Sequence, residues 1–159
     1  MTSAQDEYFI RVAIDLALKG ASQNEGGPFG SVIVKEGVIV GKGNNKVIST
    51  NDPTAHAEIV AIREACNYLQ SYQLSGCTVY SSCEPCPMCL GAIYWARPDR
   101  IVYACSREDA ASINFDDDFI YKEIPLPPGE RKIPTHQCGR EEALKVFRFW
   151  ESKDDKVEY

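Results

Sequence analysis

Three observations predict an α/β fold with helices packed on a central sheet. Segments with apolar residues at helical spacing alternate along the chain with short runs rich in β-branched residues. At 159 residues the chain is most simply a single domain, long enough to bury a core without staples. Its 44% apolar and 25% charged content is that of an ordinary soluble globule.

The first segment, 6–19, places Phe9, Ile10, Ala13, Ile14, Ala17 and Leu18 at helical spacing, with Gly20 as the expected stop. Two β-rich runs follow, Phe29–Val34 and Val38–Val40, and Glu36-Gly37 turns the chain between them. "NDPTAHAEIVAIREACNYL" reads as a helix with Asp52 or Thr54 as its cap and Ile59, Ile62, Ala65, Cys66 and Leu69 facing inward. "CTVYSS" is a short strand, 86–96 a helix and "RIVYAC" a second buried strand. Pro125, Pro127, Pro128 and Gly129 mark a loop or arm, and "REEALKVFRFWES" is a final amphipathic helix. Neither repeats nor low-complexity tracts interrupt this order.

Composition excludes several classes of function. No apolar run is long enough for a membrane span, and the first twenty residues carry charges through their apolar positions, unlike a signal peptide. A cytoplasmic location is therefore expected. Seven cysteines, an odd number, do not form a secreted disulfide framework in a chain of this length. Cys66, Cys77, Cys105 and Cys138 are scattered among apolar or turn residues and read as small hydrophobes. A net charge of −6 opposes nonspecific attraction to nucleic acid.

The remaining three cysteines lie in "CEPCPMC", 83–89. A C-x-x-C pair serves as a redox couple, as half of a structural zinc site or as part of a catalytic one. The redox role expects a thioredoxin-like context, which is missing. Zinc needs further ligands, and only two histidines exist. His136, in "IPTHQCG", reads as a surface or packing residue, whereas His56 opens the second long helix with Glu58 two residues on. Residues two apart share a face only in extended chain, so a convergent H-x-E pair belongs where the helix has barely begun. Cys86 and Cys89, three apart, share a face on the first turn of their own helix. Helix N-termini stabilise thiolates at both places. His56, Cys86 and Cys89 leave the fourth position of a tetrahedral zinc open to water, the arrangement of catalytic sites. The rival is a closed structural Cys3His site with Cys83 as fourth ligand, which leaves Glu58 without a task.

"HAE" at 56–58 with "PCPMC" at 85–89 matches the signature of the zinc-dependent nucleobase deaminases. "GGPFGSVIV", "DPTAHAEIVAIREAC", "SSCEPCPMCLGAIYWARP", "FDDDFIYKEI" and the terminal tyrosine extend the likeness over nearly the whole chain. Taken together, the chain resembles the bacterial-type guanine deaminases of the cytidine deaminase fold. The resemblance implies a three-layer α/β/α sandwich with a mixed sheet of about five strands and a C-terminal helical arm, 122–159, exchanged between the subunits of a homodimer. It implies one Zn2+ per subunit with a bound water, and Glu58 as the acid that moves protons between that water and the base. It further implies a purine base as substrate, with Phe29 and Trp95 as aromatic walls, Asn45 as a hydrogen-bonding group and Tyr159 reaching in from the arm. Asp117 is the carboxylate that accepts guanine's ring N–H groups by this likeness, although spacing alone does not separate it from Asp116 and Asp118. Guanosine or cytidine deamination and tRNA adenosine deamination, which shares "DPTAHAE", are the alternatives. The acidic tail, with Glu151, Asp154, Asp155 and Glu158 against Lys153 and Lys156, opposes the tRNA reading.

Overall fold

A computed structural model describes residues 3–159, which divide into two compact units, residues 3–117 and 118–159. In the first, a long helix α1 (Ala4–Ser22) precedes the hairpin β1 (Gly30–Lys35) and β2 (Val38–Asn44). A short helix α2 (Val47–Thr50) leads to α3 (Ala57–Leu69), β3 (Cys77–Cys83), α4 (Pro87–Ala96), β4 (Arg100–Cys105) and α5 (Arg107–Ser112). The sheet order is β2-β1-β3-β4, with β1 antiparallel to both neighbours and β3 parallel to β4.

Alternation along β1 sorts the core into two layers. Ile33 joins Val79, Cys77, Ala61, Ala65 and Ile93 on the face covered by α3 and α4. Val32 and Val34 join Phe9 and Tyr80 on the face covered by α1. This is the expected three-layer α/β/α sandwich with a mixed sheet. It has four strands, one fewer than the approximately five expected. Among the described residues no strand follows β4, and Ser106 and Asp109 form a capping box that starts α5 at once.

Glycine contacts explain where the elements depart from periodicity. Gly20 does not stop α1; it lies buried inside the helix, where a side chain would collide with Asn44. Gly30 meets the backbone of Ala13 and Ala17, so α1 buries a narrow small-residue stripe, while Ile14 and Leu18 of the predicted face are exposed. Glu36 and Gly37 both have positive φ, at 50° and 81°, which suits a tight two-residue hairpin turn. β2 runs four residues beyond Val40 because Gly41 and Gly43 let α3 lie directly on it.

The N-terminus of α1 is tied to the sheet through Asp6. Its carboxylate accepts from the Ser3 N–H in a capping box, from the Tyr80 hydroxyl at 2.8 Å and from both terminal nitrogens of Arg100. The Arg100 hydrogen bonds, then those of Ser3 and Tyr80, hold this buried carboxyl well below the usual carboxylate range.

The second unit contains α6 (Asp118–Glu123), a 3-10 turn at Pro128–Glu130 and α7 (Arg140–Ser152). Lys122 pairs with Asp118 one turn away, and Arg131 donates to the Leu126 and Ile124 carbonyls to close the proline-rich loop.

Because the folded-state pKa of Asp6 is depressed, its stabilising contribution is complete above the unfolded value of about 4 and is lost as pH falls further. Urea denaturation should show Asp6→Asn less stable than the parent by about 2 kcal/mol near neutral pH, from lost charge-assisted hydrogen bonds. The two proteins should converge in stability below about pH 4.

Candidate active site

The chain enters α3 through an Asx turn, in which Asp52 Oδ1 accepts from both the N–H and the hydroxyl of Thr54. Neither of those residues caps the helix, in contrast to the sequence expectation. His56 does, with extended backbone at φ −68° and ψ 157°, so Glu58 occupies the second helical position. This is the barely begun helix that a convergent H-x-E pair requires. β3 delivers the partner element: Cys86 is the N-cap of α4, Pro87 takes its first position and Cys89 stands in its first turn.

The two helix starts bring the sulfurs of Cys86 and Cys89 each to 3.5 Å from His56 Nδ1. The ligand atoms of His56, Cys86 and Cys89 all lie within 4.8 Å of one another, the one such cluster of three or more His, Cys, Asp or Glu among the described residues. A sulfur and an imidazole nitrogen bound to one tetrahedral zinc stand about 3.6 Å apart, so this donor set fits that ion. Its electrostatics also call for a cation. Hydrogen bonds from Cys89 and then His56 pull the Cys86 thiol down to about 4, against the effect of burial. The same Cys86–Cys89 hydrogen bond, burial and the nearby Glu58 push Cys89 upward. Hydrogen bonding to Cys86 raises His56 despite its partial burial. Neighbouring anions that oppose each other's ionisation are reconciled by a divalent ion among them.

Glu58 is only 6% exposed, and burial pushes its carboxyl above the ordinary range. Oε1 accepts from the Ser81 hydroxyl at 3.1 Å, and Oε2 lies 3.4 Å from Cys89 Sγ. Cys83 takes no part in the cluster. Its thiol donates to the Ser106 carbonyl at 3.4 Å, and burial pushes it up to about 11. As a fourth ligand, this third sulfur would have to surrender both that bond and its proton.

His56, Glu58 and Cys86 open into a cavity of about 590 Å³. Phe29 and Phe115 meet edge to face on its wall, with ring centroids 5.0 Å apart at 89°. Asn45 lines it too, nearly buried, with Oδ1 accepting from the Val47 N–H and its own N–H donating to the Phe29 carbonyl. Asp116 and Asp117 both contribute to the lining, and burial, followed by the charge of Cys86, pushes the Asp117 carboxyl upward.

A model of the cytidine and deoxycytidylate deaminase zinc-binding region matches residues 3–105, which include all three cluster residues and Glu58. The chain belongs to the cytidine and deoxycytidylate deaminase family. Within this deaminase family it is 54% identical over 153 residues to the guanine deaminase of Bacillus subtilis, covering 96% of this chain and 98% of that protein. A crystal structure of guanine deaminase from Bacillus subtilis superposes with a TM-score of 0.94 at 54% identity, over 96% of this chain and 98% of that one. A tRNA-specific adenosine deaminase of Buchnera aphidicola is 37% identical over 96% of this chain and 99% of its own length. The deaminase family is zinc-binding, in agreement with the donor set.

Several residues singled out in the sequence meet at the cavity of this family member. Phe29, Asn45, His56, Glu58, Cys86 and Asp117 line it. Trp95 is 65% exposed on α4, and Tyr159, in the second unit, is 69% exposed. Phe115 and Arg107 do line the cavity, although the sequence reading assigned them no role. Phe115 opens "FDDDFIYKEI", where an aromatic beside the run of acids is the available signal.

Elemental analysis of the purified protein should find one zinc per chain. His56→Ala and Cys86→Ser should each lose most of it, since removing a ligand or its supporting contacts weakens metal affinity by at least about 10- to 100-fold. Cys83→Ser should retain it fully.

Proposed function

We propose that this chain hydrolyses guanine to xanthine and ammonia. The observation that carries the reading is the 54% identity to the Bacillus subtilis guanine deaminase over almost the full length of both chains. The cavity supports it independently. A flat, neutral purine is held by aromatic faces and a few directed polar groups, and Phe29, Phe115, Asn45 and Asp117 offer both. Guanine carries ring N–H donors that a carboxylate such as Asp117 can accept, whereas cytosine offers fewer.

His56, Cys86 and Cys89 hold the zinc in this reading, and Phe29, Asn45, Trp95, Asp117 and Tyr159 contact the base. When bound, zinc supplies the Lewis acidity that makes water a nucleophile at neutral pH. Glu58 accepts the proton that the attacking water loses and delivers it to a ring nitrogen, which makes the adjacent carbon electrophilic. It then carries the second proton to the amino group, so that the C–N bond breaks and ammonia leaves as the carbonyl forms. One of the water's hydrogens ends on the ring and the other on ammonia. The burial that raises Glu58 suits a group that must hold a proton in one step and give it up in the next.

The working form is a homodimer in which residues 122–159 are exchanged and Tyr159 of one subunit reaches its partner's cavity. In support, α7 exposes Val146, Phe147 and Phe149, and β4 is an edge strand with Tyr103 and Cys105 exposed. Free thiols at all seven cysteines suit a reducing cytoplasm, and no helix among the described residues is long and apolar enough to cross a membrane.

Ammonia release should be fastest with guanine when guanosine, adenine, cytosine and a tRNA anticodon stem-loop are tested in parallel. Faster turnover of the stem-loop would favour the tRNA reading that the Buchnera relative represents. Glu58→Gln should keep its zinc and lose at least about 10³-fold in kcat, the scale of positioned acid–base catalysis. Deleting Glu158-Tyr159 should lower kcat/KM for guanine by about 10-fold, the loss of a positioning contact, without changing the thermal midpoint. Light scattering should report a dimer.

A further inference from the structure

On the deaminase reading above, we infer that Ser81 is a positioning residue that fixes the carboxylate of Glu58 and decides which of its oxygens meets the substrate. Ser81 stands in β3, where Cys77, Val79, Ser81 and Cys83 alternate onto the face covered by α3 and α4. Cys77 and Val79 belong to the apolar cluster there, so a serine next in the row is a local exception. It is 2% exposed, and a hydroxyl taken out of water must find a partner. That partner is Glu58 Oε1, at 3.1 Å.

The bond divides the labour of the two oxygens. Oε1 is committed to Ser81, while Oε2 is left on the side of Cys89 and the metal-binding cluster. The terminal torsion of a glutamate is broad and nearly two-fold, so packing alone does not distinguish its oxygens. A charge-assisted hydrogen bond from a rigid central strand does. No neighbour can replace it. Ser31 lies opposite Ser81 on β1, but its hydroxyl donates to the Tyr80 carbonyl at 2.9 Å. Ser82 points to the other face and accepts from the Gly30 N–H.

The test measures kcat and KM for guanine, zinc content and thermal midpoint for Ser81→Ala, Ser81→Cys and Glu58→Gln. Ser81→Ala should lower kcat about 10- to 100-fold, the cost of a misplaced catalytic group, with KM within about threefold, full zinc and an unchanged fold. Ser81→Cys, similar in size and still a weak donor, should recover part of the loss, which a purely structural serine would not require. Adding Ser81→Ala to Glu58→Gln should cost nothing further, because the partner of the bond is already altered. The inference is overturned by an unchanged kcat in Ser81→Ala, by zinc or stability falling in step with kcat, or by Ser81→Cys no better than Ser81→Ala. Absence of guanine turnover in the parent protein overturns the deaminase reading and this inference with it, whereas parent turnover with an indifferent Ser81→Ala overturns the positioning role alone.

Discussion

A Cβ on Gly43 would lie 2.4 Å from the Ala57 carbonyl oxygen, and one on Gly41 would lie 2.4 Å from that of Ala61. α3 therefore rests on β2 backbone against backbone, through a stripe of Ala57, Ala61 and Ala65 that is wholly buried. This contact sets where α3 begins. His56 and Glu58, at that beginning, meet Cys86 and Cys89, which β3 and α4 deliver on the same face of the sheet. The register of β3 against β1 and the seat of α3 on β2 together decide whether three donors from two helix starts converge. Even a single methyl group on either glycine would have to lift the helix and draw the histidine and the acid away from the sulfurs.

The convergence concentrates negative groups in a buried place, and the fold offsets this in stages. Both cluster elements present helix N-termini, whose unpaired N–H groups favour anions. His56 stands between the sulfurs and is held more basic by Cys86. What remains is met by the divalent ion that this family binds. Cys83, three residues before Cys86, shows the opposite arrangement. Burial pushes its thiol up and its hydrogen points to a carbonyl, so the surroundings of this nearby thiol favour its protonated form.

Much of this was legible in the sequence, for identifiable reasons. The H-x-E and C-x-x-C spacings carry geometry directly, because each needs a particular backbone state to converge, and Glu36-Gly37 specified its turn by residue type. The final helix, 140–152, followed from periodicity. The departures occurred where close backbone approach replaced side-chain packing. Gly20 resembled a helix stop but is a contact point inside α1, and β2 continued through two glycines that a propensity reading ends at. Asp52 and Thr54 looked like caps but bond each other. Ser81 was unreadable as anything but a strand residue, because its partner is 23 positions away and only the fold pairs them. Phe115 lay in a motif noted for its carboxylates, and its contact with Phe29 depends on a turn in which Asn114 takes a left-handed φ of 69°.

X-ray absorption at the zinc edge of the purified protein, in the absence of substrate, tests the central claim most directly, since it counts the sulfurs around the ion. Two sulfurs at about 2.3 Å accompanied by two lighter atoms at about 2.0 Å would match His56, Cys86, Cys89 and an exchangeable fourth partner. Three sulfurs would place Cys83 on the metal, close the coordination sphere and contradict the account of a catalytic centre.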